Sequence, residues 1–177
     1  IRETKKGDAY IINFISKLFE KEGIKVISQT FYNPEIVLSK GTKTKVKPNQ
    51  QNFLDIKIGK KIIYNLNQKE VSQGALVLDG KIMTVENFKG TDFMLQKAKK
   101  NFKKLVNKKF RRGILIKLPK PNQDLRIDLP TIGIKTINKC VSLGLKGIVL
   151  KSKQNIFLER KKSINILNKN KMFLTII

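Results

Sequence analysis

The segment from Gly113 to Gly133 constrains this chain most, because it permits few backbone arrangements. It opens on a continuous apolar run, Ile114-Leu115-Ile116, of the kind a buried strand shows. Lys117-Leu118-Pro119-Lys120-Pro121 then breaks the run, and its prolines keep this part out of strand and helix alike. Asp124, Arg126 and Asp128 sit inside the resulting loop, and Pro130-Thr131-Ile132-Gly133 reads as the start of a helix. Strand, polar loop and helix start is where α/β folds place their chemistry. The same pattern also describes an ordinary strand-to-helix connection with solvated charges.

The flanking sequence supplies further elements. Residues 8–21 read as an amphipathic helix with Gly7-Asp8 as N-cap, Ile11, Ile12, Ile15, Leu18 and Phe19 on one face, and Gly23 as its end. Ile24-Lys25-Val26-Ile27 looks like a short strand, and residues 29–48 look loop-like. Residues 49–67 carry Phe53, Leu54, Ile58, Ile62 and Leu66 at helical spacing, with Gly59 weakening the helix. Within that helix Asp55 reads as a solvated side chain. Two apolar runs flank Asp79-Gly80, the signal of a hairpin with a type I′ turn. Residues 91–108 form a basic amphipathic helix with Met94, Leu95, Ala98, Phe102 and Leu105 on one face. Its lysines Lys97, Lys99, Lys100, Lys103 and Lys104 read as solvent-facing. A helix over 134–143 closed by Gly144, strands at 147–150 and 155–158, a helix over 160–169 and a strand over 172–177 complete the chain. This alternation predicts an α/β sandwich whose sheet is mixed because of the hairpin and flanked by helices.

Composition excludes several chemistries. With no histidine, His metal sites, His general bases and Ser-His-Asp triads are ruled out. The single cysteine, Cys140, forms no internal disulfide; Ile137, Val141 and Leu145 around it point to a core position rather than a reactive thiol. No apolar run approaches the about 18 residues of a membrane span. The net charge of +25 invites a nucleic-acid reading, but only five of the 38 basic residues are Arg. The lysines are interleaved with Ile and Asn, so a solvated basic surface drawn to anionic partners is the expectation, and nucleic acid is not expected as a partner.

The 13 acidic residues are therefore the available hard anionic ligands, and Asp79, Glu86, Asp92, Asp124 and Asp128 fall between the hairpin and the central loop. Mg²⁺ takes one or two carboxylates and completes its shell with water and phosphate oxygens. Asp79, in a turn, reads as structural, and Asp92 can equally cap its helix. Gly90-Thr91 and Thr131-Ile132-Gly133 precede helices whose free N–H groups can face an anion, and Lys117, Lys120 and Arg126 flank the loop as candidate diphosphate clamps.

The stretch K-L-P-K-P-N-Q-D-L-R-I-D-L-P-T-I-G, from Lys117 to Gly133, closely resembles the signature of the LpxI-type UDP-2,3-diacylglucosamine pyrophosphatases of lipid A biosynthesis in Gram-negative bacteria. Ser72-Gln73-Gly74 with Asp79-Gly80, and V-E-N-F-K-G-T-D-F-M-L from Val85 to Leu95, fit the same family in the same order. Members of the family carry a glycine-rich first domain ahead of this region, so the chain, starting at Ile1, reads as their C-terminal two-thirds. On that reading residues 1–44 are the remnant of a second α/β domain plus its connection, and 45–177 the catalytic domain.

The resemblance implies hydrolysis to UMP and 2,3-diacylglucosamine 1-phosphate (lipid X), with Mg²⁺ or another divalent ion such as Mn²⁺. Asp128 aligns with the family's essential aspartate, as metal ligand or water-positioning group, with Asp124 as the substitute candidate. Glu86 and Asp92 are the further expected metal ligands. Gln73, Gly90, Thr91, Lys117, Lys120, Arg126, Thr131 and Gly133 are the expected substrate contacts. The sequence departs at Lys89, where an acidic residue commonly precedes the glycine. Expected partners are the UDP-linked diacylated glucosamine, the inner-membrane surface met transiently from the cytoplasm, and a second copy in a homodimer. The competing class is a non-catalytic basic module binding nucleic acid or anionic membrane surfaces.

Overall fold

Apolar strands of four or five residues can be buried on both faces only if helices cover both. That is the arrangement in the computed structural model, which describes residues 8–67, 72–105, 110–120 and 123–177. Six strands form one sheet in the order β1-β8-β6-β4-β2-β3: β1 (Gly41–Thr42), β8 (Phe173–Ile176), β6 (Gly147–Leu150), β4 (Ile114–Lys117), β2 (Gly74–Leu78) and β3 (Lys81–Val85). β4, β6 and β8 run parallel, while β1, β2 and β3 join antiparallel, so the sheet is mixed as expected. β5 (Thr131–Ile132) and β7 (Ile156–Phe157) make a separate two-stranded parallel ladder.

Strand alternation sorts the core into two clusters. Ala75, Val77, Ile114, Ile116, Val149 and Phe173 point to one face and pack with Ile56 and Ile63 of α3 (Gln50–Asn67). Leu76, Leu78, Leu115, Ile148, Leu150 and Leu174 point to the other. There they meet Met94, Leu95 and Ala98 of α4 (Gly90–Leu105), Ile137, Cys140 and Leu143 of α5 (Ile134–Leu143) and Leu167 of α6 (Arg160–Lys169). Cys140 is fully buried, and burial pushes its thiol far up from the ordinary range, in keeping with a core role. The expected helix over 91–108 starts at Gly90; Lys100, Phe102, Lys103, Lys104 and Leu105 lie outside the described side chains, and residues 106–109 outside the described residues.

Several expectations are corrected. Phe53 and Leu54 of α3 are exposed, because the buried stripe runs through Ile56 and Ile63 instead. Gly59, read as a weakness, is a close approach: a Cβ there would stand 2.6 Å from Ile116 Cγ2. Asp55 is not solvated but fully buried; its Oδ1 accepts the Gly80 N–H at 2.7 Å and the Gln51 amide at 3.1 Å, fastening α3 to the hairpin turn. Asp79 and Gly80 both have positive φ, 48° and 80°, as a type I′ turn requires, and Asp79 pairs with Arg112.

The N-terminal part differs more. α1 (Asp8–Lys21) forms, but Ile11, Ile15, Leu18 and Phe19 are 44–48 % exposed, so its apolar face is uncovered. Residues 24–27 form no strand, having no ladder partner among the described residues. The stretch 29–48 is more ordered than loop-like. It holds α2 (Gln29–Tyr32), capped by Ser28, a 3₁₀ turn at Pro34–Ile36, and β1 on the sheet edge. Leu38 is fixed to buried Asn155 by two bonds, Leu38 N–H to Oδ1 at 3.1 Å and Nδ2 to Leu38 O at 3.0 Å. The sheet thus reaches back upstream of residue 45.

Candidate functional site

The carboxyl end of β4 brings the expected residues together. Lys117 is its last residue, paired with Leu150 of β6 on one side and Gly74 of β2 on the other. Two residues after Leu115, its side chain projects to the same sheet face, onto the start of α4. Glu86 follows β3, and its N–H bonds Gly74 O at 2.8 Å. Lys117, Gly74 and Glu86 therefore stand in a row across neighbouring strands. This end of the sheet is also where β4 has a parallel neighbour on one side and an antiparallel one on the other, at the carboxyl ends of the parallel strands.

Three polar side chains are joined there below the surface. Thr91 donates its hydroxyl to Glu86 Oε2 at 2.9 Å, and Lys117 Nζ donates to Thr91 Oγ1 at 2.7 Å. Glu86, Thr91 and Lys117 are 6 %, 7 % and 7 % exposed. Burial pushes the Lys117 ammonium below its ordinary value, while the carboxylates of Glu86, Asp92 and Asp128 act across space to pull it back up. Among the described residues no carboxylate lies within ion-pair distance of Lys117. The result is a buried cation bonded to a neutral hydroxyl, with carboxylates near enough to act on its charge.

Asp92, in the first turn of α4, pairs with Lys139 of α5 at 2.6 Å, so it bridges two helices. Asp128 is half-buried; its N–H bonds Asp124 O at 2.8 Å, and Leu129 turns into the core beside it. A capping role for Asp128 is not found. Thr131 and Ile132 form β5 rather than the first turn of a helix, and α5 begins at the Gly133 N-cap without a side-chain cap. Thr131 is exposed and donates to Leu129 O.

Among the described residues no three His, Cys, Asp or Glu side chains stand close enough to hold a metal ion. The reason is local: Thr91 occupies Glu86 and Lys139 occupies Asp92. A cation held by one or two of these carboxylates, with water and phosphate oxygens as its other ligands, fits this donor set; a closed protein cage does not.

Arg126 is held by two carboxylates. It binds Asp124 through Nε at 3.0 Å and Nη2 at 2.7 Å, and Glu20 of α1 through Nη1 at 2.5 Å. Gln29 N–H donates to Arg126 O at 3.0 Å, so this arginine clasps the loop to the N-terminal segment. A cleft of about 350 Å³ opens between Ser16 and Glu20 of α1 and Gln123, Asp124 and Arg126, but none of Glu86, Thr91, Lys117 or Asp128 lines it. It belongs to the clasp, not to the lysine site.

The Arg126 guanidinium holds the Asp124 carboxyl below the usual carboxylate range. A depressed folded value stabilises the clasp above the ordinary carboxylate pKa and loses that contribution as pH falls through the depressed value. Amide protection of Gln29 and Asp128 is therefore expected to persist at about pH 4 and to decay only in stronger acid. Hydrogen exchange measured against pH checks this; in Arg126→Gln the decay should move to higher pH.

The remaining expected contacts are scattered. Lys120 is half-buried, and its N–H donates to Gln123 Oε1 at 2.9 Å. Gly90, at φ 82°, opens α4, and Gly133 opens α5. Gln73 lies beside the lysine site: its backbone O accepts the Leu118 N–H at 2.8 Å, and its buried Oε1 has no partner among the described residues. Gly74 was not singled out on its own. A Cβ there would overlap Glu86 Oε2, so a larger residue would displace the carboxylate from its path toward Thr91. The available signal was a glycine opening an otherwise apolar strand, the mark of a close backbone approach.

Fold and site define a three-layer α/β domain with a buried lysine among carboxylates at the carboxyl end of its parallel strands. Residues 39–175 match the LpxI C-terminal domain, and the chain belongs to that family. A Caulobacter vibrioides protein named UDP-2,3-diacylglucosamine pyrophosphatase LpxI is 33 % identical over 158 residues. That alignment takes in 89 % of this chain and 56 % of the relative, so the chain spans little more than half of that protein's length.

Proposed function

We propose that this chain carries the catalytic part of a hydrolase that cuts the pyrophosphate bond of UDP-2,3-diacylglucosamine to UMP and lipid X in lipid A biosynthesis. Family membership supports the substrate, and the observation that carries the chemistry is Lys117, a buried ammonium bonded to Thr91 and through it to Glu86. A diphosphate entering this site exchanges water for that ammonium, and burial makes the attraction stronger than it would be in solvent. Asp128 accepts a hydrogen bond from the attacking water, orients it toward phosphorus and takes up its proton. Gln73, Lys120 and the starts of α4 and α5 are the further groups that face the phosphates and sugar.

Mg²⁺ or Mn²⁺ would be held by Asp128, with water and phosphate oxygens completing its shell, and would neutralise the diphosphate charge when bound. The same reading has the chain meeting its diacylated substrate at the inner-membrane surface, with its +25 charge drawn to anionic headgroups, and working as a homodimer. No described helix is long and apolar enough to cross a membrane.

The test is turnover of UDP-2,3-diacylglucosamine by the full-length native chain, with and without EDTA and with Mg²⁺ restored. Loss in EDTA and recovery with Mg²⁺ is the expected result. Turnover indifferent to EDTA removes the metal from the reading, and no turnover under any metal removes the reaction.

A further inference from the structure

We infer that Glu86 and Thr91 are positioning residues for Lys117: together they hold its ammonium in place for a diphosphate and keep it from collapsing onto the neighbouring carboxylates. This rests on the reaction proposed above. It assigns Glu86 a role through Thr91 in place of the metal ligation expected from the sequence.

The argument starts from the count of protons. A threonine hydroxyl has one proton to donate and lone pairs to accept with. Here that proton is given to Glu86 Oε2, so Thr91 can meet Lys117 only as an acceptor. Direction is thereby set along the chain, from ammonium to hydroxyl to carboxylate. An ammonium has three donors; one is spent on Thr91, and among the described residues nothing takes the other two. A compact ammonium with donors to spare binds phosphate oxygens as a point charge.

The same chain explains why Lys117 is not neutralised. Glu86, Asp92 and Asp128 are near enough to act on its charge, yet none pairs with it directly. Thr91 holds the ammonium at a neutral oxygen, and Glu86 holds Thr91. Gly74 keeps the path of the Glu86 side chain open. Burying a lysine and a glutamate linked through a hydroxyl is a poor way to stabilise a sheet end, where an apolar trio would serve better. The arrangement makes sense for a cation that must be available to a ligand.

The test is a mutant cycle in the full-length native chain: Thr91→Val, Thr91→Ser, Glu86→Gln, Lys117→Gln and the Thr91→Val/Lys117→Gln double variant. Each is read by steady-state kinetics, by UDP binding in a calorimeter and by thermal melting. Thr91→Val and Glu86→Gln are expected to lower kcat by about 10–10²-fold. Thr91→Ser, which keeps the hydroxyl, should recover to within about threefold of wild type. In the Lys117→Gln background, Thr91→Val should add no further loss in kcat or UDP affinity, because its effect passes through the lysine.

Additive losses overturn the inference while turnover by the wild type leaves the proposed reaction standing. Thr91→Ser as impaired as Thr91→Val, with a matching drop in Tm, also overturns it, as would UDP binding indifferent to Lys117→Gln. A wild type that binds UDP through Lys117 with the predicted non-additivity, yet hydrolyses nothing, removes the reaction and supports the positioning chain.

Discussion

Asp128→Ala is expected to lower turnover by about 10²–10⁴-fold, the contribution of a positioned general base. The loss should fall on kcat, because the residue acts on water rather than on the substrate's leaving portions. The fold should survive. Asp128 is half-buried, its recorded loop bond is made by its backbone N–H, and the neighbouring core position is filled by Leu129. Removing its carboxylate also takes one negative charge from around Lys117, so the lysine becomes harder to keep charged. Kinetics at saturating Mg²⁺ with a parallel thermal melt decide the matter. Near-wild-type turnover would refute the assignment, and unfolding with loss of activity would make Asp128 a structural residue. Asp124→Ala is the natural control. Its carboxylate is committed to Arg126, so it should loosen the clasp to α1 and affect turnover far less.

Gly147→Ala is expected to cost about 3 kcal/mol of stability, at the upper end for overpacking a core. Gly147 begins β6 and pairs with Phe173 of β8, whose ring lies over it on the α3 face. A Cβ at 147 would overlap three atoms of that ring, and Phe173 is fully buried with no open side to move toward. Gly90→Ala separates steric cost from backbone cost. Nothing stands within 4 Å of a Cβ there, but φ is 82°, so its expected penalty is the left-handed strain alone, about 1–2 kcal/mol. Urea denaturation should rank Gly147→Ala as the more damaging. Equal losses would mean the Phe173 contact relaxes freely, and Gly147→Ala with Phe173→Leu should recover part of the deficit.

Legibility divided along a physical line. Elements whose signal is local were readable: the apolar run that becomes β4, the hairpin set by two residues with positive φ, and α5 with its Gly144 cap at φ 76°. Each rests on a backbone preference or a periodicity contained within a few neighbours. Elements that need a distant partner were not. Residues 24–27 have strand-like composition but no ladder partner among the described residues, whereas the polar Gly41–Thr42 pairs with β8 and is a strand. Asp55 looked solvated because nothing beside it in the chain announces that Gly80 N–H will be delivered to its carboxylate.

The candidate site shows the same division. From the sequence alone came the residue types, their order, the family signature and the carboxylates that replace histidine as the available chemistry. Only the tertiary structure decided what each charge faces. It placed the Arg126 guanidinium on Glu20 and Asp124, drew Glu86 into a bond with Thr91, and buried the Lys117 ammonium against the Thr91 hydroxyl. A side chain's type is written in the sequence. Its electrostatic role depends on burial and on partners up to 106 positions away, as Glu20 is from Arg126, and folding alone brings those together.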